Sequence, residues 1–300
     1  MKVFIYILQV LVGAVFVFSG VAKLFPIEPF ELNFISEGII GWSAAPILAR
    51  TIIGIELFTG ILFITNIARK SASFLSFSML IIFSFYLVYA ILTTGNEDNC
   101  GCFGTVLEMT PSESIIKNIV LLILTFLISK NQLLSLKWLS YRFIPVLVFI
   151  ISMALPYIIN PIQLSISKNH AATEINYPFK YELLEKYTDV DYREGKHLVC
   201  FMSLTCPHCI IAAQKLEVLK QSVDFPPIMI YFIGNEDNLD NFFKKSKSDF
   251  DYKFFRDENF FKLSGPALPS IQYVENGMVK GKWGNGTLNE KDFIELFNNK

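Results

Sequence analysis

Two closely spaced cysteine pairs are the residues of this chain best suited to do chemistry. Cys206-Pro207-His208-Cys209 forms a Cys-x-x-Cys, Cys100-Gly101-Cys102 forms a Cys-x-Cys, and Cys200 stands apart. Five cysteines are too few for a disulfide scaffold in 300 residues, whereas two pairs and one odd residue suit redox exchange. The thiolate is the reacting form, so surroundings that favour it matter most. Residues 197–203 (HLVCFMS) read as a buried strand, and the CPHC that follows opens an apolar-periodic helix, IIAAQKLEVLKQ. Cys206 would then sit at a helix N-terminus, where unpaired N–H groups and the helix dipole stabilise a thiolate. Pro207 suits the first turn because its missing N–H is not needed there. His208 can add positive charge or a hydrogen bond, and Cys209 would resolve the mixed disulfide that Cys206 forms. In the other pair, Gly101 allows the tight backbone that so short a ring requires, and such a ring is strained and easily reduced.

Each signal has a plainer reading. A zinc site at Cys206 and Cys209 would want two further ligands at fitting spacing, and the surrounding half offers only Cys200, His170, His197 and His208. Cys100 and Cys102 could be a passive loop or share a copper or zinc ion with the other pair. Cys200 reads as a small buried hydrophobe in a core strand.

The elements that must position these residues fall into two halves. Hydrophobic residues make up 52% of the chain and charged ones 18%, with 29 Phe, and the apolar excess lies before about residue 160. A membrane-crossing helix needs about 20 mostly apolar residues. Five segments are candidates: 4–22, 46–67, 72–92, 115–128 and 143–159. Lys2, Arg69, Lys70, Lys130, Lys137 and Arg142 fall on one side of such a topology. The loops 24–45 and 93–113 hold no Lys or Arg, and carry Glu28, Glu31, Glu37, Glu97, Asp98, Glu108 and Glu113. The positive-inside bias therefore puts the N-terminus in the cytoplasm, and five crossings put both cysteine pairs outside, in a compartment where disulfides persist. Trp42 and Trp138 fall near the expected interfaces. A net charge of −1 gives no reason to expect a nucleic-acid partner.

Lys23, Arg50 and Glu56 lie in or near the apolar segments, where ionisable groups are costly and usually paired or functional. Lys23 and Arg50 could reach the headgroups. Glu56 lies deeper and, six residues on, off Arg50's face, so Lys23 or another helix is its expected partner.

In the second half, residues 227–233 read as a strand, and 238–247 and 258–263 as Phe-rich helical or loop segments. Leu268-Pro269-Ser270 leads into the strand IQYVE, with Pro269 marking its start. Asn276-Gly277 is a hairpin signal before MVKGKW, and residues 289–297 close the chain as a helix.

The order strand, CPHC, helix, strand, helix, Pro-Ser strand, Asn-Gly hairpin, helix resembles the thioredoxin fold over roughly residues 196–298. The resemblance implies that Pro269 is cis and lies against the CxxC. One departure stands out: Cys200 replaces the buried acid that ordinary thioredoxins carry six residues before the first active-site cysteine. The membrane half also resembles a family. Ser19-Gly20-Val21-Ala22-Lys23-Leu24, Arg50 with Gly54-Ile55-Glu56-Leu57 and Gly60, and Cys100-Gly101-Cys102-Phe103-Gly104 are similar to the DoxX-like superfamily, in its MauE branch, over about residues 5–130. That branch is associated with thioredoxin-like partners and with disulfide formation in exported proteins.

The expectation is a four-helix DoxX-like transmembrane domain (1–135), a fifth transmembrane helix (136–160), a linker (161–192) and an α/β thioredoxin-like domain (193–300). Its function would be a membrane-bound thiol–disulfide oxidoreductase of a bacterial inner membrane. Electrons would pass between Cys206–Cys209, with Pro207, His208 and Pro269 in support, and Cys100–Cys102. The partners would be membrane lipid and exported cysteine-containing proteins, with oxidation slightly favoured as the direction. By analogy with membrane disulfide oxidases a quinone is the first candidate electron partner, with Lys23, Arg50 and Glu56 as candidate contacts. The competing readings are a maturation or metal-binding factor for one partner enzyme, and a transporter-like protein with an accessory thioredoxin domain.

Overall fold

The computed structural model describes residues 2–93, 95–96, 100–131, 143–162, 175–284, 287–288 and 290–297. Glu97, Asp98, Lys137, Trp138, Arg142, His170 and the expected helix start at Asn289 lie outside the described residues. The chain divides into two compact units, Met1–Gln163 and Leu164–Lys300.

The first unit contains α1 (Lys2–Leu24), α2 (Glu28–Ser36), α3 (Ala45–Thr65), α4 (Arg69–Thr93), α5 (Pro111–Lys130) and α6 (Phe143–Ile159). Helices α1, α3, α4 and α5 are long and apolar enough to cross a membrane. This departs from the expected count of four bundle helices plus a fifth crossing. Helix α6 is apolar and 17 residues long over the described residues, at the short end of the range of about 17–25 that can span a bilayer. Helix α2 lies in a segment expected to be loop. Its sequence, EPFELNFIS, is too short to show helical periodicity from outside, yet it buries Phe30, Leu32, Asn33 and Phe34. Exposed Phe74, Ile82, Phe85 and Leu92 give α4 an apolar outer surface of the kind that faces lipid.

Helices α1 and α3 pack backbone to backbone at paired glycines. A Cβ on Gly13 would lie 2.8 Å from the Gly60 carbonyl oxygen, and one on Gly60 would lie 2.7 Å from that of Gly13. Such close approach lets small residues replace the missing hydrophobic drive between helices in lipid. Gly54 performs the same service for α6, because a Cβ there would meet Met153 Sδ at 2.7 Å.

The second unit is a six-stranded sheet in the order β1 (Tyr177–Pro178), β6 (Met278–Trp283), β5 (Ser270–Glu275), β2 (Lys196–Ser203), β3 (Ile228–Ile233), β4 (Asp251–Phe254). Strands β2, β3 and β4 run parallel, and β5 and β6 pair antiparallel beyond β2. Helix α7 (Pro207–Leu219) makes the crossover from β2 to β3, and α8 (Leu239–Ser246), α9 (Phe260–Ser264) and α10 (Glu290–Phe297) complete the unit. This mixed α/β arrangement fits a thioredoxin-like fold. Asn276 and Gly277 both take positive φ, at 49° and 77°, as a two-residue hairpin of this kind requires.

Residues 175–192, expected to be linker, belong to this unit. Strand β1 pairs with β6, and Phe179, Leu184 and Tyr192 enter the same core as Val199, Phe201 and Tyr231. The aromatic density of the segment carries the explanation: Phe179 and Tyr192 stack edge to face at 5.5 Å.

The α1–α3 contact yields a direct test. Gly60→Ala forces a methyl group onto a carbonyl, an overpacking cost of roughly 1–3 kcal/mol. The thermal midpoint of the membrane unit in detergent should fall, with unchanged melting of the α/β unit as the internal control.

Candidate functional site

Cys206 is the N-cap residue of α7, with Pro207 in the first helical turn. Its carbonyl accepts the first helical hydrogen bonds, from the Cys209 and Ile210 amides at 3.1 and 3.2 Å. Cys206 is partly exposed, as are Pro207 and His208 beside it, while Cys209 is buried. The Ser203 amide at the end of β2 donates to Cys209 Sγ at 3.4 Å. Burial pushes the Cys209 thiol well above its ordinary range, and the Ser203 hydrogen bond opposes this only in part. The Leu268–Pro269 peptide is cis, and Pro269 is buried immediately before β5. Cys200 is fully buried between Ile230 of β3 and Ile271 of β5, and burial raises its thiol as well.

The other pair lies in the loop between α4 and α5. The Cys100 amide donates to the Met109 carbonyl at 3.0 Å, Phe103 and Leu107 bridge, and a capping box of Thr110 and Glu113 starts α5. Two glycines set the loop's course. Gly101 (φ 68°) would place a Cβ 2.3 Å from Asn33 Nδ2 of α2, and Gly104 (φ 59°) would place one 2.4 Å from the Ala22 carbonyl of α1. Both cysteines are buried at 8% exposure. Cys100 Sγ lies 3.0 Å from Ser114 Oγ and accepts from the Cys102 amide at 3.4 Å.

Lys23 and Glu56 form a buried ion pair, with Lys23 Nζ 2.8 and 2.9 Å from the two carboxylate oxygens. Ser19 joins them: Lys23 donates to Ser19 Oγ at 2.6 Å, and that hydroxyl lies 3.0 Å from the Cys102 carbonyl. The pair lines one cavity with Cys102, Phe83, Phe103, Lys117 and Asn118. The Cys100 and Cys102 thiols share a hydrogen bond that raises Cys100 and lowers Cys102. Burial further raises Cys100, whereas Lys117 and Lys23 further lower Cys102 against its own burial.

Arg50 belongs elsewhere. Its Nε donates to the Asn160 carbonyl at 2.7 Å, and one terminal nitrogen bonds Glu31 Oε1 at 2.5 Å and the Pro46 carbonyl at 2.7 Å. It therefore ties α2 and the end of α6 to α3. Both side chains are buried among protein atoms, at 4% exposure for Arg50 and 1% for Lys23. The cavity beside Lys23 and Glu56 holds about 30 Å³ in this structure, room for about one water. Among the described residues, no three or more His, Cys, Asp or Glu stand together as a metal ligand set.

Sequence reasoning missed Lys117, Asn33 and Ser114 and met Ser19 only within a family motif. Lys117 carried a readable signal, a cation two residues inside an apolar segment. The other three are small or neutral polar residues whose roles depend on a loop that folds back onto three helices.

Fold and sites together define a membrane protein with two dithiol centres, one in a helical bundle and one at a helix N-terminus of a mixed α/β domain. Residues 1–130 match the family model for "Methylamine utilisation protein MauE". Over 98% of its length the chain is 30% identical to "Protein TlpB" of Flavobacterium psychrophilum, spanning 95% of that protein. The chain belongs to the same family as that protein.

Two outcomes test the site. Lys23→Met or Glu56→Gln alone leaves an unpaired buried charge or its lone partner, costing about 3–5 kcal/mol. The double variant should lose less than the sum, as read by thermal melts of the full chain. Because alkylation requires thiolate, the raised Cys209 should stay unmodified up to about pH 8.5, the ordinary thiol value, while unfolded chain reacts there. Peptide mass spectrometry reads both states.

Proposed function

We propose that this chain is a membrane-bound thiol–disulfide oxidoreductase whose CPHC and CGC pairs exchange electrons and act on exported proteins. The observation that carries the reading is the partly exposed Cys206 at the N-cap of α7 above the buried Cys209. An exposed sulfur at a helix N-terminus can attack or be attacked, and a buried second thiol can resolve the mixed disulfide. The MauE match and the TlpB relative support placing that chemistry in a membrane protein. The second dithiol, in the loop between α4 and α5, supports exchange with a centre in the bundle.

The proposed site is the bacterial inner membrane, with a cytoplasmic N-terminus and the α/β domain in the periplasm. Support comes from charge. Arg69, Lys70 and Lys130 lie at helix ends on one side of the alternating bundle, and Glu28, Glu31, Glu37, Glu108 and Glu113 lie toward the other. This orientation of the α/β domain requires α6 to cross.

In the test, full-length protein in detergent is offered a disulfide peptide with excess glutathione as reductant, and Cys206→Ser should drop turnover to background. Cys209→Ser combined with Cys100→Ser or Cys102→Ser should trap a disulfide between Cys206 and the remaining loop cysteine, mapped by mass spectrometry. Cys206 linked only to other proteins or small thiols would rule out exchange between the pairs. A stoichiometric complex without turnover would favour a maturation factor instead.

A further inference from the structure

Charge in the cavity beside Cys102 does not balance if both loop cysteines are neutral. Its walls carry two ammonium groups, Lys23 of α1 and Lys117 of α5, against one carboxylate, Glu56 of α3. Lys23 is matched by Glu56 at 2.8 Å. Lys117 sits over the Phe103 ring at 4.4 Å and forms no ion pair among the described residues. An unmatched cation within an apolar helix is costly, so such a group normally faces a compensating charge. Cys102 is the one other group on the cavity wall able to become an anion. Tyr86 of α4 packs against the pair from the remaining side, and Cys100 is turned to Ser114.

We propose that Lys117 is a positioning residue that balances a thiolate on Cys102, making Cys102 the attacking sulfur of the CGC pair and Cys100 the resolving one. The proposal rests on the redox reading above. The Cys102 thiolate attacks a protein disulfide, forming one S–S bond and expelling one substrate thiolate. Cys100 then attacks Cys102 Sγ in the mixed disulfide. The Cys100–Cys102 bond closes, the second substrate sulfur leaves, and the Cys100 proton passes to it. Two electrons move from the pair to the substrate, which ends with one thiol and one thiolate, the latter taking its proton from water; the reverse reaction runs the same steps backwards. When the Cys102 thiolate is consumed, Lys117 loses its counter-charge, so Lys117 favours the reduced pair over the disulfide.

The first test is alkylation of the reduced full chain in lipid nanodiscs with iodoacetamide over a pH series, resolving Cys100 from Cys102 by peptide mass spectrometry. Cys102 should react ahead of Cys100. Lys117→Gln should shift the Cys102 profile upward by about one pH unit, a tenfold loss of modification on its acidic limb. Lys117→Arg should restore it. In glutathione buffers, Lys117→Gln should shift the pair's equilibrium about tenfold toward the disulfide, about 30 mV. An unchanged Cys102 profile in folded Lys117→Gln, or faster modification of Cys100, overturns the assignment.

A second pair of variants covers failure of Lys117→Gln to fold. Cys102→Asp supplies a permanent negative charge at that wall, and Cys102→Asn a neutral group of the same shape. The aspartate variant should melt higher, and a higher melt for the asparagine variant overturns the proposal. Neither readout requires turnover, so loss of disulfide exchange would bear on the proposed function alone.

Discussion

The buried ion pair between Lys23 and Glu56 is the interaction on which the membrane unit's site depends. Two full charges inside an apolar bundle are tolerated only because each satisfies the other at 2.8 Å and Ser19 takes a further bond from Lys23. That demand fixes α1 against α3 at a particular depth, which the paired glycines Gly13 and Gly60 then make sterically possible. Ser19 extends the same network to the Cys102 carbonyl at 3.0 Å. The loop bearing the dithiol is thus registered against the pair, not merely suspended above the bundle. If α1 slid by a residue, the carboxylate would lose its partner and the loop its anchor together.

The two dithiols use different physics to separate the roles of their sulfurs. At CPHC the separation is geometric: one sulfur is partly exposed at the helix N-terminus, the other buried with a backbone amide for company. At CGC both sulfurs are equally buried, so exposure cannot distinguish them. There the difference comes from the cavity holding Lys23 and Lys117, which Cys102 lines and Cys100 does not. A three-residue pair has no helix terminus to exploit, and the bundle's side chains supply the asymmetry.

How much of this was legible follows from the range of each interaction. The strand–CPHC–helix order, the Asn-Gly hairpin and the place of Pro269 are local, and β2, α7, β5 and β6 lie where sequence puts them. The Lys23–Glu56 pair was legible because charges in apolar segments have few places to go. What escaped reading depends on chain segments meeting. Helix α2 is stabilised by packing Phe30 and Phe34 against α1 and α3, which nine residues cannot announce. Strand β4 has four residues and gains its identity only from pairing with β3. Residues 175–192 look like a polar connector until Phe179, Leu184 and Tyr192 are seen to close one end of the core. Arg50 looked like a site residue by composition, and its bonds to Glu31, Pro46 and Asn160 make it a brace for the helix ends.

The glycines around Cys100 and Cys102 carry a consequence for how that pair is reached. Gly101 admits Asn33 where any side chain would collide, and Gly104 admits the Ala22 carbonyl. Both approaches come from the bundle side, so the loop is pressed onto α1 and α2 with no slack between them. The bridge from Phe103 to Leu107 and the Cys100–Met109 bond hold its two arms, and the Thr110–Glu113 box fixes where α5 begins. A loop so tied cannot expose either sulfur by a side-chain rotation alone. Helix α2 packs on this loop through Asn33 and is itself tied to α3 through Glu31 and Arg50. Asn33 Nδ2 also lies 3.5 Å from the Cys100 carbonyl, a long hydrogen bond. The dithiol loop is thus held from α1, α2 and α5 at once, through the Ala22 and Ser19 contacts, Asn33 and Ser114.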